Sequence, residues 1–163
     1  MRRKDREVKD INELLQIIDK CKVCRIGMQD KNGLYIVPMN FGYKYEHNQL
    51  VLYFHSAKEG RKIDALKENS NVCFEMDCDH RLITGDEACQ YTYSYKSIIG
   101  SGKVVFIDDY DEKKLALSVL MRHQTGHEFE FDNKMADRVC VFKIVAQEFT
   151  GKHRPYMAQY KIS

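Results

Sequence analysis

The densest run of chemically capable side chains is Tyr53-Phe54-His55-Ser56-Ala57-Lys58-Glu59-Gly60-Arg61-Lys62. An apolar, strand-like stretch ends there, a hydroxyl residue follows, and three cations lie within about one helical turn. Ser56 with Glu59 has the spacing of a capping box, which predicts a short helix from there to about Lys67. The start of a helix presents unpaired N–H groups and a partial positive charge, and so favours an anion such as phosphate. Ser56 could donate to a phosphate oxygen, with Lys58, Arg61 and Lys62 neutralising it. Gly60 inside that helix would cost about 1 kcal/mol relative to alanine, which a group approaching the backbone closely would explain. Read locally, the same run also describes a capped surface helix with a solvated basic face. No Gly-rich phosphate loop sharpens the choice.

A second constellation is Tyr35-Ile36-Val37-Pro38-Met39-Asn40-Phe41-Gly42-Tyr43. Pro38 cannot donate to a β-ladder, so it marks an edge, a bulge or a face turned to something other than a strand. Backbone groups around it need other partners. A planar heterocycle with donors and acceptors on its rim, such as an isoalloxazine, would supply them; an ordinary bulge is the plainer alternative. Among the histidines, His55 stands at a strand end, where an imidazole can hydrogen-bond a ligand or move a proton near neutral pH. His123 and His127 flank Gln124-Thr125-Gly126, a loop able to cover a site, and His153 and Arg154 could reach a phosphate or an adenine.

The elements that must position these groups follow from pattern. Asp10 and Glu13 open a helix whose apolar face is Ile11, Leu14, Leu15 and Ile18, ending near Cys21. Strands are expected over 23–29, over 34–45 with an interruption at Pro38, and over 49–55, joined by turns at Asp30-Lys31-Asn32-Gly33 and Glu46-His47-Asn48. Beyond the second helix come a strand over 71–78 and one long bent strand, or two, over 91–108, with Gly100 and Gly102 at the bend. A helix over 111–123 and a last strand over 138–151 complete the chain. The first connections are too short for parallel crossovers, so the sheet is antiparallel. About six strands with peripheral helices predict a mainly β fold, a small six-stranded antiparallel barrel in a single domain over 1–163.

Composition bounds the rest. A chain of 163 residues can bury a core without staples, and a net charge of +2 is too weak to make nucleic acid or lipid the main partner. No stretch approaches the roughly 20 apolar residues of a spanning helix. The charged start Met1-Arg2-Arg3-Lys4-Asp5-Arg6-Glu7 lacks the apolar core of a secretory signal, so a cytoplasmic location is expected. Six cysteines sit mostly in strand-like apolar settings, which suggests reduced thiols. Cys21 and Cys24 form one C-x-x-C with no second pair at zinc-ribbon spacing, so no metal is expected.

Two long motifs carry a family resemblance. Ile36-Val37-Pro38-Met39-Asn40-Phe41-Gly42-Tyr43 and Leu52-Tyr53-Phe54-His55-Ser56-Ala57-Lys58-Glu59-Gly60 closely resemble the nitroimidazole-resistance flavoproteins. These are a branch of the pyridoxamine 5′-phosphate oxidase-like FMN-binding split barrels. The opening Met1–Glu7 and Tyr95-Lys96-Ser97-Ile98-Ile99-Gly100-Ser101-Gly102-Lys103 look like the same family, so the resemblance spans residues 1 to 151. It implies FMN, with FAD possible, as the cofactor. Val37, Pro38, Met39 and Asn40 would line the flavin ring with backbone groups. Tyr53, Phe54, His55, Ser56 and Lys58 would meet the ribityl-phosphate arm, and Arg61 and Lys62 would close on the phosphate. Ser97 would contribute across a homodimer interface. The oxidase family's residues for pyridoxamine phosphate have no match here, which argues against vitamin B6 chemistry. The implied activity is flavin-dependent reduction of a nitroimidazole-like or other small oxidant, with His55 as the candidate proton carrier. A non-catalytic flavin carrier or redox sensor is the alternative reading, and a haem-binding split barrel a third.

Overall fold

The computed structural model describes residues 3–156. The described chain carries strands β1 (Glu7–Val8), β2 (Val23–Asp30), β3 (Gly33–Asn40), β4 (Gly42–Glu46), β5 (Gln49–Ser56), β6 (Asn71–Ile83), β7 (Thr92–Ile107) and β8 (Cys140–Arg154). Four α-helices accompany them: α1 (Ile11–Lys20), α2 (Arg61–Glu68), α3 (Tyr110–Thr125) and α4 (Asn133–Ala136). The strands form one sheet in the order β3-β2-β6-β7-β8-β5-β4, with β1 added on β8. The registered pairs β1–β8, β2–β3, β2–β6, β4–β5 and β5–β8 are all antiparallel. Eight strands replace the roughly six expected, because the second predicted strand is divided at Phe41 and the short β1 carries no sequence signal.

Two compact units divide the described residues, one made of 3–21, 76–99 and 150–156, the other of 22–75 and 100–149. In the second unit, β2 and β3 stay in unbroken register from Val23↔Asn40 to Asp30↔Gly33, with Pro38 opposite Arg25. Pro38 therefore lies within an edge strand and makes no bulge, consistent with its missing donor. The break falls at Phe41, which turns its ring fully inward. Phe41, Phe54 and Phe142 form the aromatic heart of this unit, with Phe54 stacked on Phe142 at 5.3 Å between centroids. Gly42 permits that turn: a methyl group there would sit 2.5 Å from Leu120 Cα and 2.7 Å from Val119 C on α3. At the β4–β5 turn, His47 and Asn48 both have positive φ, 50° and 61°, which matches the hairpin chemistry expected. Gly100 and Gly102 admit the Phe74 ring and the Val145 carbonyl, so they mark close approach within one continuous strand.

In the first unit, Asp10 caps α1 by accepting from the Glu13 amide at 3.0 Å; Leu14 and Ile18 face inward as the periodicity predicts, Ile17 joins them, and Ile11 and Leu15 are only half-buried. Val8 pairs with Gly151, where the absent side chain admits Leu14. Asp79 has φ 58° within β6, and the buried Ser94 hydroxyl lies 3.3 Å from the carbonyls of both Asp79 and Arg81. Cys21 and Cys24 are both buried, and burial pushes the Cys24 thiol up to about 12, so it remains a neutral, packed group. Among the described residues no helix is long and apolar enough to cross a membrane.

The Gly42 contact yields a prediction. Gly42→Ala meets backbone that cannot rotate away, so it should destabilise by about 2 kcal/mol or more, as overpacking does. Urea unfolding of the variant should show a lower midpoint at unchanged slope.

Candidate functional site

The candidate site grows from the end of β5 and the start of α2, and here the structure corrects the capping expectation. Ser56 is the last residue of β5, and its hydroxyl donates to the Ala57 carbonyl at 2.8 Å. The helix starts later, at Arg61, with Gly60 as its cap residue at φ 120° and ψ 165°. The Ser56/Glu59 box is thus not formed, since both residues lie outside the helix. Gly60 is required by that backbone conformation and not by crowding, because nothing lies within 4 Å of the position a side chain would occupy. No side chain caps α2, and the amides of Ile63 and Asp64 both close on the Gly60 carbonyl. Among the described residues, the amides of Arg61 and Lys62 donate to no carbonyl or side chain. This is the arrangement of donors that a bound anion satisfies.

Arg61 joins this helix start to the β2–β3 hairpin. Its Nε donates to Asp30 Oδ2 at 2.7 Å and its Nη2 to Asp30 Oδ1 at 3.2 Å, while the guanidinium carbon lies 4.2 Å from the centre of the Tyr35 ring. Hydrogen bonding to Arg61 holds the Asp30 carboxyl below its ordinary range. One edge of the guanidinium is therefore committed, and the Nη1 edge is left to serve another acceptor. Tyr35 precedes Val37, Pro38, Met39 and Asn40 on β3, so the two regions that carried the sequence argument meet at Arg61. Along β3 Met39 is buried, Val37 is half-buried, and Pro38 and Asn40 are exposed. The Asn40 amide donates to the Lys22 carbonyl at 3.0 Å and contacts Gln124 Oε1 at 3.3 Å, and Gln124 in turn donates to the Phe41 carbonyl at 2.8 Å.

The remaining predicted residues take varied positions. Tyr53 and Phe54 are buried, and burial raises the Tyr53 hydroxyl's pKa. His55 is exposed at the strand end, opposite Val141. Desolvation by its surroundings, then the positive charge of Lys62, lowers its pKa below the usual imidazole value. Lys62 is half-buried and has no carboxylate partner among the described residues, whereas Lys58 pairs with Asp137 at 3.3 Å. Ser97 lies half-buried on β7 in the other unit. His123 packs its ring on Phe41 at 4.7 Å and against Tyr43 at 5.4 Å, which makes it part of the packing beside β4. His127 is exposed, its amide donating to Thr125 Oγ1 at 3.1 Å.

Sequence reasoning missed a cleft of about 380 Å³ beside Lys58, walled by Phe106, Ile107 and Val141 and edged by Lys67 and Lys113. Its basic residues come from the loop after β5 and from two different helices, so no linear spacing could reveal them. It also missed Asp30 and Tyr35 as the groups that orient Arg61.

Comparison with known proteins decides the family. Residues 10–153 match the model of the family described as pyridoxamine 5′-phosphate oxidase. The chain belongs to that family. A solved candidate 5-nitroimidazole antibiotic resistance protein from Bacteroides thetaiotaomicron is 37% identical, with 90% of this chain and 85% of that one covered, at a TM-score of 0.77. At 17% identity, a flavocytochrome from Azotobacter vinelandii covers 99% of this family member and 75% of its own chain, at a TM-score of 0.78. An FAD-binding protein from Mesorhizobium loti gives 22% identity, coverage of 90% and 96%, and a TM-score of 0.61. These last two likenesses bear on the fold alone. No match is found among curated proteins. The resemblance to the nitroimidazole-resistance branch and the mainly β split-barrel fold expected of it both stand.

The His55 environment can be checked by titration. Because its folded-state pKa lies below the unfolded value near 6.5, the folded chain binds fewer protons in that window, and His55 makes stability rise with pH across it. NMR titration should place the His55 midpoint below that of a free imidazole. Lys62→Ala should move it up part of the way, since the larger cause, desolvation, remains.

Proposed function

We propose that this family member binds a flavin nucleotide and works as a flavin-dependent reductase of nitroimidazole-like or other small oxidants. The observation that carries the reading is the meeting of the β3 ribbon and the uncapped start of α2 through Arg61, Asp30 and Tyr35. One region suits a flat ring with polar rims, the other a phosphate, and a flavin nucleotide has both at its two ends. The residues present fit such a group: two helix amides and a Lys62 ammonium without acceptor among the described residues, and a guanidinium with one edge still to serve. FMN is the ligand this site favours, since it needs only one terminal phosphate. The solved relative named for 5-nitroimidazole resistance supports the choice of oxidant.

Each side chain then has a task. Lys62 and the Arg61 and Lys62 amides hold the phosphate, and Lys58 adds charge from the loop after exchanging its exposed Asp137 partner. Asp30 and Tyr35 fix the Arg61 plane before anything binds, so little side-chain entropy remains to be lost. Val37, Pro38, Met39 and Asn40 offer the ring an edge-strand backbone held rigid by its ladder to β2. Once bound, the flavin supplies the electron and hydride chemistry, and the protein supplies orientation and electrostatics. His55, its pKa lowered by desolvation and by the charge of Lys62, stands as a hydrogen-bond partner and as the residue to deliver a proton at the mouth of the site.

The same reading includes a homodimer with Ser97 reaching the partner's flavin. Leu34 and Ile36, 85% and 66% exposed on edge strand β3, give such an interface apolar anchors. Leu34→Glu with Ile36→Glu should halve the mass seen by sedimentation, and a monomeric wild type would end this part.

Purified protein should be yellow, and mass spectrometry of the released ligand should give a flavin nucleotide. Lys58→Ala with Lys62→Ala should weaken flavin binding at least tenfold while thermal unfolding of the flavin-free protein stays within a few degrees. Steady-state reduction of a nitroimidazole by NADH or NADPH tests the activity. A chain that binds flavin and turns over nothing would be a carrier or sensor.

A further inference from the structure

The first unit holds a set of cations that this function does not use. Two clefts of about 400 and 460 Å³ share two lining residues, His153 and Arg154. Arg81 and Lys96 line one cleft, and Arg3 and Arg6 line the other. Together, five fixed cations face only two carboxylates, Asp79 and Asp5. Those carboxylates are already engaged. Asp5 is gripped by Arg3 at 2.6 Å and lies 3.9 Å from Arg6. Asp79 is shared between Lys20 at 3.0 Å and Lys96 at 3.7 Å. His153 faces Glu13 at 3.3 Å and His80 faces Asp77 at 2.9 Å, so any charge they gain is met locally.

Arg154 has no such relief. It is half-buried, and its sole partner among the described residues is the neutral Thr92 hydroxyl, which accepts from Nη1 at 2.7 Å. Arg81 likewise has no carboxylate among the described residues and lies with its guanidinium carbon 3.8 Å from the centre of the Tyr156 ring. A partly desolvated guanidinium is stable when an acceptor of opposite charge completes its donors. With Thr92 accepting from Arg154, the proton of the Thr92 hydroxyl is left to be donated outward.

We propose that the joined clefts bind a diphosphate group, with Arg154 between its two phosphoryl units. Arg81 and Lys96 serve one unit, and Arg6 with the Thr92 hydroxyl serves the other. A diphosphate fits better than a single phosphate because the unpaired charge is spread over two clefts that meet at one guanidinium. The clefts have the size of small-molecule sites, and a net charge of +2 gives no wider field to hold a polymer or a lipid surface. The chemistry is common to the nicotinamide dinucleotides and to FAD. This site shares no residue with the flavin-phosphate cradle around Lys62, so the two stand or fall separately.

Isothermal titration of the full-length protein with inorganic pyrophosphate at about 0.1 M salt tests the site. Binding should weaken at least tenfold in Arg154→Gln and several-fold in Arg81→Gln, and remain unchanged in Lys103→Ala, an exposed position on β7 outside both clefts. Arg81 is exposed, so its variant keeps the test open if Arg154→Gln unfolds. Competition by NADPH without FAD would name a nicotinamide dinucleotide as the source, and competition by FAD without NADPH would name the flavin adenylate. Wild-type affinity in both arginine variants, no binding by the wild type, or binding lost only in Lys62→Ala would each overturn the proposal.

Discussion

The site depends on one guanidinium held from two sides. Asp30 accepts two hydrogen bonds from Arg61, and the Tyr35 ring supports its face. Without that clamp, the first residue of α2 would be a flexible side chain with about 2 kcal/mol of rotamer freedom. With it, the hairpin of β2 and β3 and the start of α2 share one rigid junction. The pair orders the junction more than it stabilises the fold: a half-exposed guanidinium gains little from one carboxylate, but a fixed fork presents its free edge in one geometry.

Backbone conformation reinforces that junction. Gly60, at a φ that side chains rarely adopt, lets the chain leave β5 and enter α2 with the first amides open. A conventional Ser or Asp cap would satisfy those donors internally and remove their capacity to hold an anion. Lys62 follows the same logic from the side-chain direction. It stands half-buried beside His55 without a carboxylate among the described residues, and its charge adds to desolvation, the larger cause, in lowering the pKa of the imidazole.

Much of this was legible in the residues. The α1 cap and the hairpin turns follow from local rules that no tertiary contact overrides, and the structure has them as read; the apolar face of that helix keeps Leu14 and Ile18 but buries Ile17 in place of Ile11 and Leu15. The Ser56/Glu59 spacing misled because a capping box is a local pattern, whereas β8 extends β5 through Ser56 by pairing it with Cys140. Pro38 was read correctly as compatible with an edge strand, but the interruption expected at it falls instead at Phe41, where burial of a ring sets the path. Asp30 was read only as a turn residue. Its bond to Arg61 spans 31 positions, a separation that no window of local sequence can resolve.

The edge position of Pro38 has a further consequence for how this chain avoids clumping. Edge strands carry unpaired backbone groups that invite another chain to add on and propagate, and Leu34 and Ile36 make this one sticky as well. A pyrrolidine ring in the middle denies an incoming ribbon one rung of its ladder. A partner that settles on this border therefore gains less from backbone pairing and more from side-chain contacts with Leu34 and Ile36.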